Sequence, residues 1–379
     1  VETQNGTIAD LDVPAQQTRT FTIPYDRSKI TGKEVFLNID FRLKNAEPLL
    51  TAGQVVAYAQ LPVVTKQACE GDCSKLLAEG HGKKKMKLAA KKNNVVAVTT
   101  PNLTFKLDRT TGLISEYAYN GKSMLGEGGT LKPNFWRAPT DNDMGAGLQK
   151  KFKVWKNPQM NLKNIDVKKD KKANTVTIVT SFDMPEVQGQ MDITYLVFAN
   201  TGAVKVTEDF KATEGAKVSD MFRFGMLLQM PYSMEKSTYY GRGPIENYSD
   251  RKDCMRIAIY NDDADNQYFP YIRPQESGTK SDIRWWKQTD ATGLGLQVKS
   301  CAPFYASALH FDTEELDDGD EKEQRHSFDL KKSKFTNLFL DAAHMGVGGE
   351  NSWGAWPLEK YRVHYGNKTF NFVLIPQTK

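Results

Sequence analysis

Apolar residues at alternate positions recur along this chain and restrict most of it to strands. From Glu34 to Leu43 the sequence reads Glu-Val-Phe-Leu-Asn-Ile-Asp-Phe-Arg-Leu, placing Val35, Leu37, Ile39, Phe41 and Leu43 on one side. Successive side chains of a strand point to opposite faces, so this spacing describes a strand with one buried face. Similar runs fall at 18–23, 54–61, 175–182, 190–198, 203–211, 222–229, 255–260, 293–300, 304–311, 335–340, 360–366 and 369–375. Pro24, Gly32, Pro48 and Gly53 punctuate the first of them, as turns between strands require. Asn120-Gly121, set between Leu113–Tyr119 and Lys122–Leu125, is a two-residue hairpin signal. One amphipathic helix is predicted over 146–156, where Leu148, Phe152 and Trp155 share a face. The expected class is all-β, dominated by a large antiparallel β-sandwich.

Composition divides the chain into three parts. Residues 1–66 read as a partial immunoglobulin-like β-sandwich with too few strands to be complete, and the chain reads as a fragment of a longer polypeptide. Residues 67–94 read as a charged linker, with Cys69-Glu-Gly-Asp-Cys73 followed by Lys83, Lys84, Lys85, Lys87, Lys91 and Lys92. Residues 95–379 hold the large sandwich, in which the acidic stretch 313–323 is predicted as a surface loop. No aromatic interleaves the lysines, so a nucleic-acid partner is not expected. The net charge of +5 is modest and much of it sits in that run. No apolar run approaches the ~20 residues of a spanning helix. A second close cysteine pair is lacking, which argues against structural zinc. A bridge between Cys69 and Cys73 fits an oxidising compartment only. Cys254 and Cys301 are expected as thiols within the β core.

Four segments concentrate glycine, proline, aromatic and charged residues: Asn134–Gly145, Tyr240–Arg251, Tyr271–Gly278 and His344–Trp353. Loops of this composition on a rigid β scaffold are where binding sites sit. The alternative is that Arg137, Arg251, Asp141, Asp143 and Glu246 form buried polar clusters that pin loops together, since buried charges need partners. That second reading is favoured for the two middle segments. In the last, three glycines within Gly346–Gly349 precede Glu350-Asn351-Ser352-Trp353. Trp353 then reads either as a platform for the apolar face of a sugar or as a core residue beneath the loop.

Together the four segments resemble the C-terminal region of family 2 glycoside hydrolases of the large bacterial β-galactosidase type. Asn134-Phe-Trp-Arg-Ala-Pro-Thr-Asp-Asn-Asp-Met-Gly145 is similar to that family's Arg-Ala-Pro-x-Asp-Asn-Asp-x-Gly segment. Tyr240-Gly-Arg-Gly-Pro-Ile-Glu-Asn-Tyr-Ser-Asp-Arg251 resembles its Gly-x-Gly-Pro-x-Glu-Asn-Tyr-x-Asp-Arg. Pro274-Gln-Glu-Ser-Gly278 departs from its Pro-x-Glu-Asn-Gly only at Ser277. His344-Met-Gly-Val-Gly-Gly-Glu-Asn-Ser-Trp353 resembles its His-Met-Gly-x-Gly-Gly-x-x-Ser-Trp.

The resemblance implies a truncated immunoglobulin-like domain followed by a sandwich of the galactose mutarotase-like type. It implies hydrolysis of terminal β-galactosides with retention, using two carboxylates about 5–5.5 Å apart. The family carries both on a (β/α)8 barrel, so no nucleophile, general acid or metal ligand is assigned to this chain. The parent enzyme's Mg2+ and Na+ sites are expected outside it. Trp353 matches the tryptophan that projects into the sugar pocket, and Gly145 matches a glycine on a mobile loop over the site. His344, Glu350, Arg137, Asp141 and Asp143 are expected to support these loops. Expected partners are a β-galactoside, the barrel of the same polypeptide and, for the parent, further copies of itself in a homo-oligomer. The compartment is left open between bacterial cytoplasm and periplasm. Two other readings are a free-standing carbohydrate-binding module and an aldose epimerase, for which His310, His344 and His364 are candidate acid–base groups.

Overall fold

The computed structural model describes residues 2–9, 11–32, 34–65, 84–90, 94–323, 325–348, 351 and 354–378. Trp353, Glu350, Cys69 and Cys73 lie outside the described residues. The chain divides into two units, Val1–Ala68 and Cys69–Lys379.

In the first unit β1 (Val35–Arg42) pairs antiparallel with β2 (Val55–Val64), with Ile39 opposite Ala59. These are the alternating runs at 34–43 and 54–61. The run at 18–23 is not a strand: Thr18, Arg19, Thr20, Phe21 and Thr22 are exposed, so its alternation meets no surface to bury against.

The second unit begins with a small antiparallel sheet, β3 (Lys87–Ala89), β4 (Val95–Thr99), β5 (Leu103–Asp108), β6 (Ile114–Tyr119) and β7 (Lys122–Ser123), in sequence order. The stretch read as linker therefore contributes strand β3. Asn120 and Gly121 join β6 to β7 with φ of 49° and 77°. Both residues lie in the left-handed region, as a type I′ hairpin needs.

A larger antiparallel sheet follows, built from β8 (Leu131–Asn134), β9 (Asn161–Asp170), β10 (Thr175–Met184), β11 (Gly189–Phe198), β12 (Val204–Ala212), β13 (Arg223–Pro231), β14 (Lys236–Gly243), β15 (Arg256–Asp263), β16 (Lys280–Thr289), β17 (Gly295–Leu309), β18 (Phe335–His344) and β19 (Lys368–Gln377). Its main path runs β15-β14-β16-β17-β19-β12-β11-β10-β9. A branch leaves β17 through β18 to β13 and β8. The branching strand is long: Gly295–Ser300 pairs with β19 and Tyr305–Leu309 with β18. The sequence suggested two strands here. Ala302 and Pro303 are exposed at the junction, where a missing N–H is tolerated, and the strand runs through. β10, β11 and β12 alternate buried and half-exposed residues. β13 and β18 are buried on both faces along most of their length, which is why Phe-Gly-Met-Leu-Leu and Asn-Leu-Phe-Leu show no alternation.

Other differences have physical reasons. Residues 360–366 carry a 3-10 turn (Glu359–Tyr361) and one bridge at Val363 instead of a strand. The predicted helix is broken into α1 (Asp141–Ala146), α2 (Leu148–Lys151) and a 3-10 turn (Lys153–Trp155), because Gly147 adopts a left-handed φ of 70°. Leu148, Phe152 and Trp155 are nevertheless buried. The acidic stretch forms α3 (Thr313–Leu316), after which Asp317 and Asp318 turn inward. Asp317 accepts from the indole of Trp136 at 2.8 Å, and Asp318 pairs with Arg273 and Arg325, each at 2.8 Å. Cys254 is exposed on a turn, and Cys301 is half-buried on β17. No helix among the described residues is long and apolar enough to cross a membrane.

Candidate functional site

The first and last motif segments meet around Arg137. Its guanidinium is fully buried and lies 4.8 Å from the centre of the Phe222 ring. Nε and Nη2 donate to the two carboxylate oxygens of Asp143 at 3.0 and 2.8 Å. This fork-on-fork geometry suits a planar guanidinium. Nη1 and Nη2 also donate to the carbonyls of Met345 and Gly346 at 2.7 and 2.9 Å. Asp143 is held in turn by the start of α1. Thr140 caps the helix, its hydroxyl accepting from Asp143 N at 3.1 Å, and the Asp143 carboxylate accepts from Thr140 N at 2.9 Å. The reciprocal pair is a capping box. The Thr-x-x-Asp spacing thus fixes the helix start and aims the carboxylate at the arginine.

The backbone entering the glycine-rich segment is held on every side. Met345 N donates to Phe222 O, and Gly346 N donates to Tyr361 O, both at 2.8 Å. Val347 N and Gly348 N donate to the two oxygens of Asp250 at 3.1 and 2.9 Å. Asn142 Nδ2 donates to Val347 O at 3.2 Å. Four consecutive amides and three consecutive carbonyls therefore have partners outside the segment. Gly346 is required, because a Cβ there would stand 2.4 Å from Asp250 Oδ2. Past the undescribed positions the chain is anchored again. Trp356 lies between Lys151 and Arg362, 5.0 and 4.7 Å from its ring centre, and meets Phe152 edge-on. Gly354 adopts φ 92°, and a Cβ there would come within 2.9 Å of Gly145 O. Gly145 lies on α1, exposed, with its carbonyl against the residue that follows Trp353 in sequence. Gly145 is thus helical in this structure.

Asp141 lies at the edge of the cluster. Gln275 Nε2 and Arg273 Nε donate to its carboxylate at 2.9 and 3.1 Å. Burial pushes this carboxyl up, but Gln275, Arg273 and Lys322 more than offset it and leave it below its ordinary value. His344 is sealed in the core. Its Nδ1 donates to Met345 O at 3.0 Å, which leaves Nε2 as the acceptor, 3.7 Å from Glu276 Oε1. Burial, then the charges of Arg223 and Arg137, hold the imidazole well below its ordinary range, so it is neutral. His310 is buried as well, with Nδ1 2.7 Å from Asp265 and Nε2 3.0 Å from Thr336 Oγ1. His364 is half-exposed beside Asp220 and Glu359. These three histidines sit in three separate hydrogen-bond sets.

Asp250, Asn142, Gln275 and Arg273 were not singled out from the sequence as site residues. All four lie inside the quoted motifs, so the signal was present. What was absent was the pairing of Asp250 with amides almost a hundred residues away. Asp250→Ala is expected to cost about 1.5–3 kcal/mol, the range for hydrogen bonds to a charged acceptor, and to speed amide exchange at Val347 and Gly348. Unchanged exchange at both amides would contradict this assignment. Among the described residues no group of three or more His, Cys, Asp or Glu side chains is placed to hold a metal ion.

This large β unit with its pinned motif loops matches a known family. Residues 99–374 match the model of the β-galactosidase small chain, and residues 1–64 match that of β-galactosidase domain 4. The chain belongs to the β-galactosidase small-chain family. A β-galactosidase of Priestia megaterium is 29% identical over 360 residues, covering 94% of this chain and 33% of the relative. A β-galactosidase of Lactobacillus delbrueckii subsp. bulgaricus is 35% identical over 222 residues, covering 58% of this chain and 21% of the relative. The chain therefore spans a third or less of the length of these two relatives. A solved galactose mutarotase related enzyme from Lactobacillus acidophilus superposes with a TM-score of 0.39 at 8% identity, covering 75% of this chain and 97% of that one.

Proposed function

We propose that this chain is the C-terminal part of a retaining family 2 β-galactosidase that hydrolyses terminal β-D-galactosides. In this reading the two catalytic carboxylates lie on a barrel outside the chain. The chain lends Trp353 as a stacking surface for the sugar, and the segment around Gly145 as a neighbour that shapes access to it. Arg137, Asp141, Asp143, His344 and Glu350 support those loops. The parent works as a homo-oligomer, with Mg2+ and Na+ held outside this region. The observation that carries the reading is the immobilised backbone Met345–Gly348, anchored at seven consecutive polar groups five residues before Trp353. A site that must present an aromatic ring to a substrate gains from such rigid support.

The isolated chain is expected to give no turnover of a chromogenic β-galactoside, and its own turnover would reject the reading. Within the complete parent polypeptide, Trp353→Ala is expected to raise KM about 10-fold to 100-fold. That corresponds to losing the burial of one large apolar side chain, about 1.5–3 kcal/mol. Calorimetry of the isolated chain with lactose separates this reading from a free-standing carbohydrate-binding module. The part-enzyme binds it negligibly, whereas a module binds it unaided.

A further inference from the structure

The two middle motif segments do more than pin loops, because each also carries an apolar side chain out to the surface. Ile245 is 62% exposed and Ile272 is 88% exposed. Phe269, 54% exposed, has its ring 4.6 Å from that of Tyr271, and Pro270 between them in sequence is exposed as well. Phe328, 86% exposed, stands on the 3-10 turn Ser327–Asp329, and the exposed His326 stacks on it at 5.7 Å. Hydrogen bonds join these places. Tyr271 donates its hydroxyl to Glu246, the neighbour of Ile245. Ser327 Oγ donates to Tyr271 O at 3.4 Å and lies 2.9 Å from the Tyr268 hydroxyl. His326 Nδ1 lies 3.3 Å from Ile272 O. Large apolar side chains scattered singly on a surface are ordinary, whereas a contiguous group of them marks an interaction site.

The ground beneath is rigid and charged groups edge it. Buried Asp318 accepts from Arg273 and from Arg325, each at 2.8 Å, and Arg273 also donates to Pro139 O at 3.0 Å. Exposed Glu323 pairs with Arg325, exposed Lys322 pairs with Asp141, and exposed Asp329 accepts from His326 N. An apolar centre inside a polar rim is the anatomy of a protein interface. The same frame reaches the candidate site. Arg273 and Gln275 donate to Asp141, the first residue of α1, and Asn142 of α1 donates to Val347 O.

We propose that this apolar surface seats the catalytic part of the same polypeptide. The inference rests on the function proposed above and names where that part docks. Two observations choose the occupant. The chain spans 33% of the length of the Priestia megaterium relative, so a polypeptide of that size carries about twice as much chain outside this region. The surface also rises from the loops that hold α1 and, through α1, the backbone ahead of Trp353, so a domain that completes the site arrives against it. A sugar fits this surface less well. Sugar sites set convergent polar groups beside an apolar face. Here the hydroxyls of Tyr268, Tyr271 and Ser327 are turned to partners within the chain.

The test is thiol labelling of Ile272→Cys and of Phe328→Cys, each made in the isolated chain and in the complete parent polypeptide. Both side chains are mostly in solvent, so neither change empties the core. The rate of maleimide attachment at the substituted position is read by mass spectrometry of its peptide. Each position is expected to label at least about tenfold more slowly in the parent, because a covered thiol reacts only when the contact opens. Equal rates in the two proteins overturn the proposal. Protection that disappears when the parent is diluted to single subunits means that a second copy covers the surface, and overturns it too. Lactose that slows labelling of the isolated chain marks a sugar platform and overturns it likewise. Labelling is read without turnover. A parent that protects both positions yet cleaves no β-galactoside therefore rejects the proposed activity and leaves the contact standing.

Discussion

Arg137→Ala is expected to destabilise the large unit by about 3–5 kcal/mol, the range for removing one partner of a buried ion pair. Arg137 and Asp143 are both essentially without solvent contact. Losing the guanidinium strands the Asp143 carboxylate and leaves the Met345 and Gly346 carbonyls short of a donor. Arg137→Lys is expected to recover only part of the loss, because a single ammonium cannot serve two carboxylate oxygens and two carbonyls in one plane. Two measurements check this: the denaturant midpoint, and amide exchange along 345–348. The Ala variant should lose both. If the midpoint falls while exchange at 345–348 is unaltered, Arg137 supports the core but does not hold the segment.

Trp155→Ala is expected to cost a similar amount, about 3–5 kcal/mol, for a different reason. The Trp155 ring is fully buried and packs on Phe135, Phe210 and Tyr365 at 5.3, 5.7 and 6.3 Å between ring centres. Its Nε1 donates to Ser219 O at 3.0 Å. Truncation opens a cavity under the turns that follow α1. Trp155→Phe keeps most of the apolar volume but leaves the Ser219 carbonyl unmatched, for a loss of about 1–3 kcal/mol. A ratio near one between the two variants would mean that the hydrogen bond, not the packing, carries the cost. None of these partners of Trp155 belongs to the Met345–Gly348 backbone or is Asp250, so the pair of variants tests the core apart from the hydrogen bonds that hold the loop.

The all-β class was legible because β10, β11 and β12 alternate cleanly and each buries one face. β14 and β16 were not legible, because their inward positions include Ser237, Lys280, Ser281 and Gln288. Ser237 and Gln288 satisfy each other at 2.8 Å, and Lys280 donates to Gly278 O at 2.7 Å. Polar residues that find partners only after folding erase the apolar pattern on which sequence reading depends. The same holds for the acidic stretch: its charge predicted solvent, yet Asp317 and Asp318 meet Trp136, Arg273 and Arg325 inside. The site was legible as composition. The four motif segments could be picked out, and Arg137 with Asp143 could be named. Which carboxylate would answer which amide could not be read, since Asp250 and Val347 come together only through the sheet.

β17 belongs to both halves of the large sheet, pairing with β19 through its first residues and with β18 through its last. A partition wall shared by two rooms cannot be taken down on one side only. Disturbance on the β19 side is carried along one covalent strand to β18, and from there to the glycines that precede Trp353. The segment inherits the solidity of the whole unit, although it is itself almost bare of side chains.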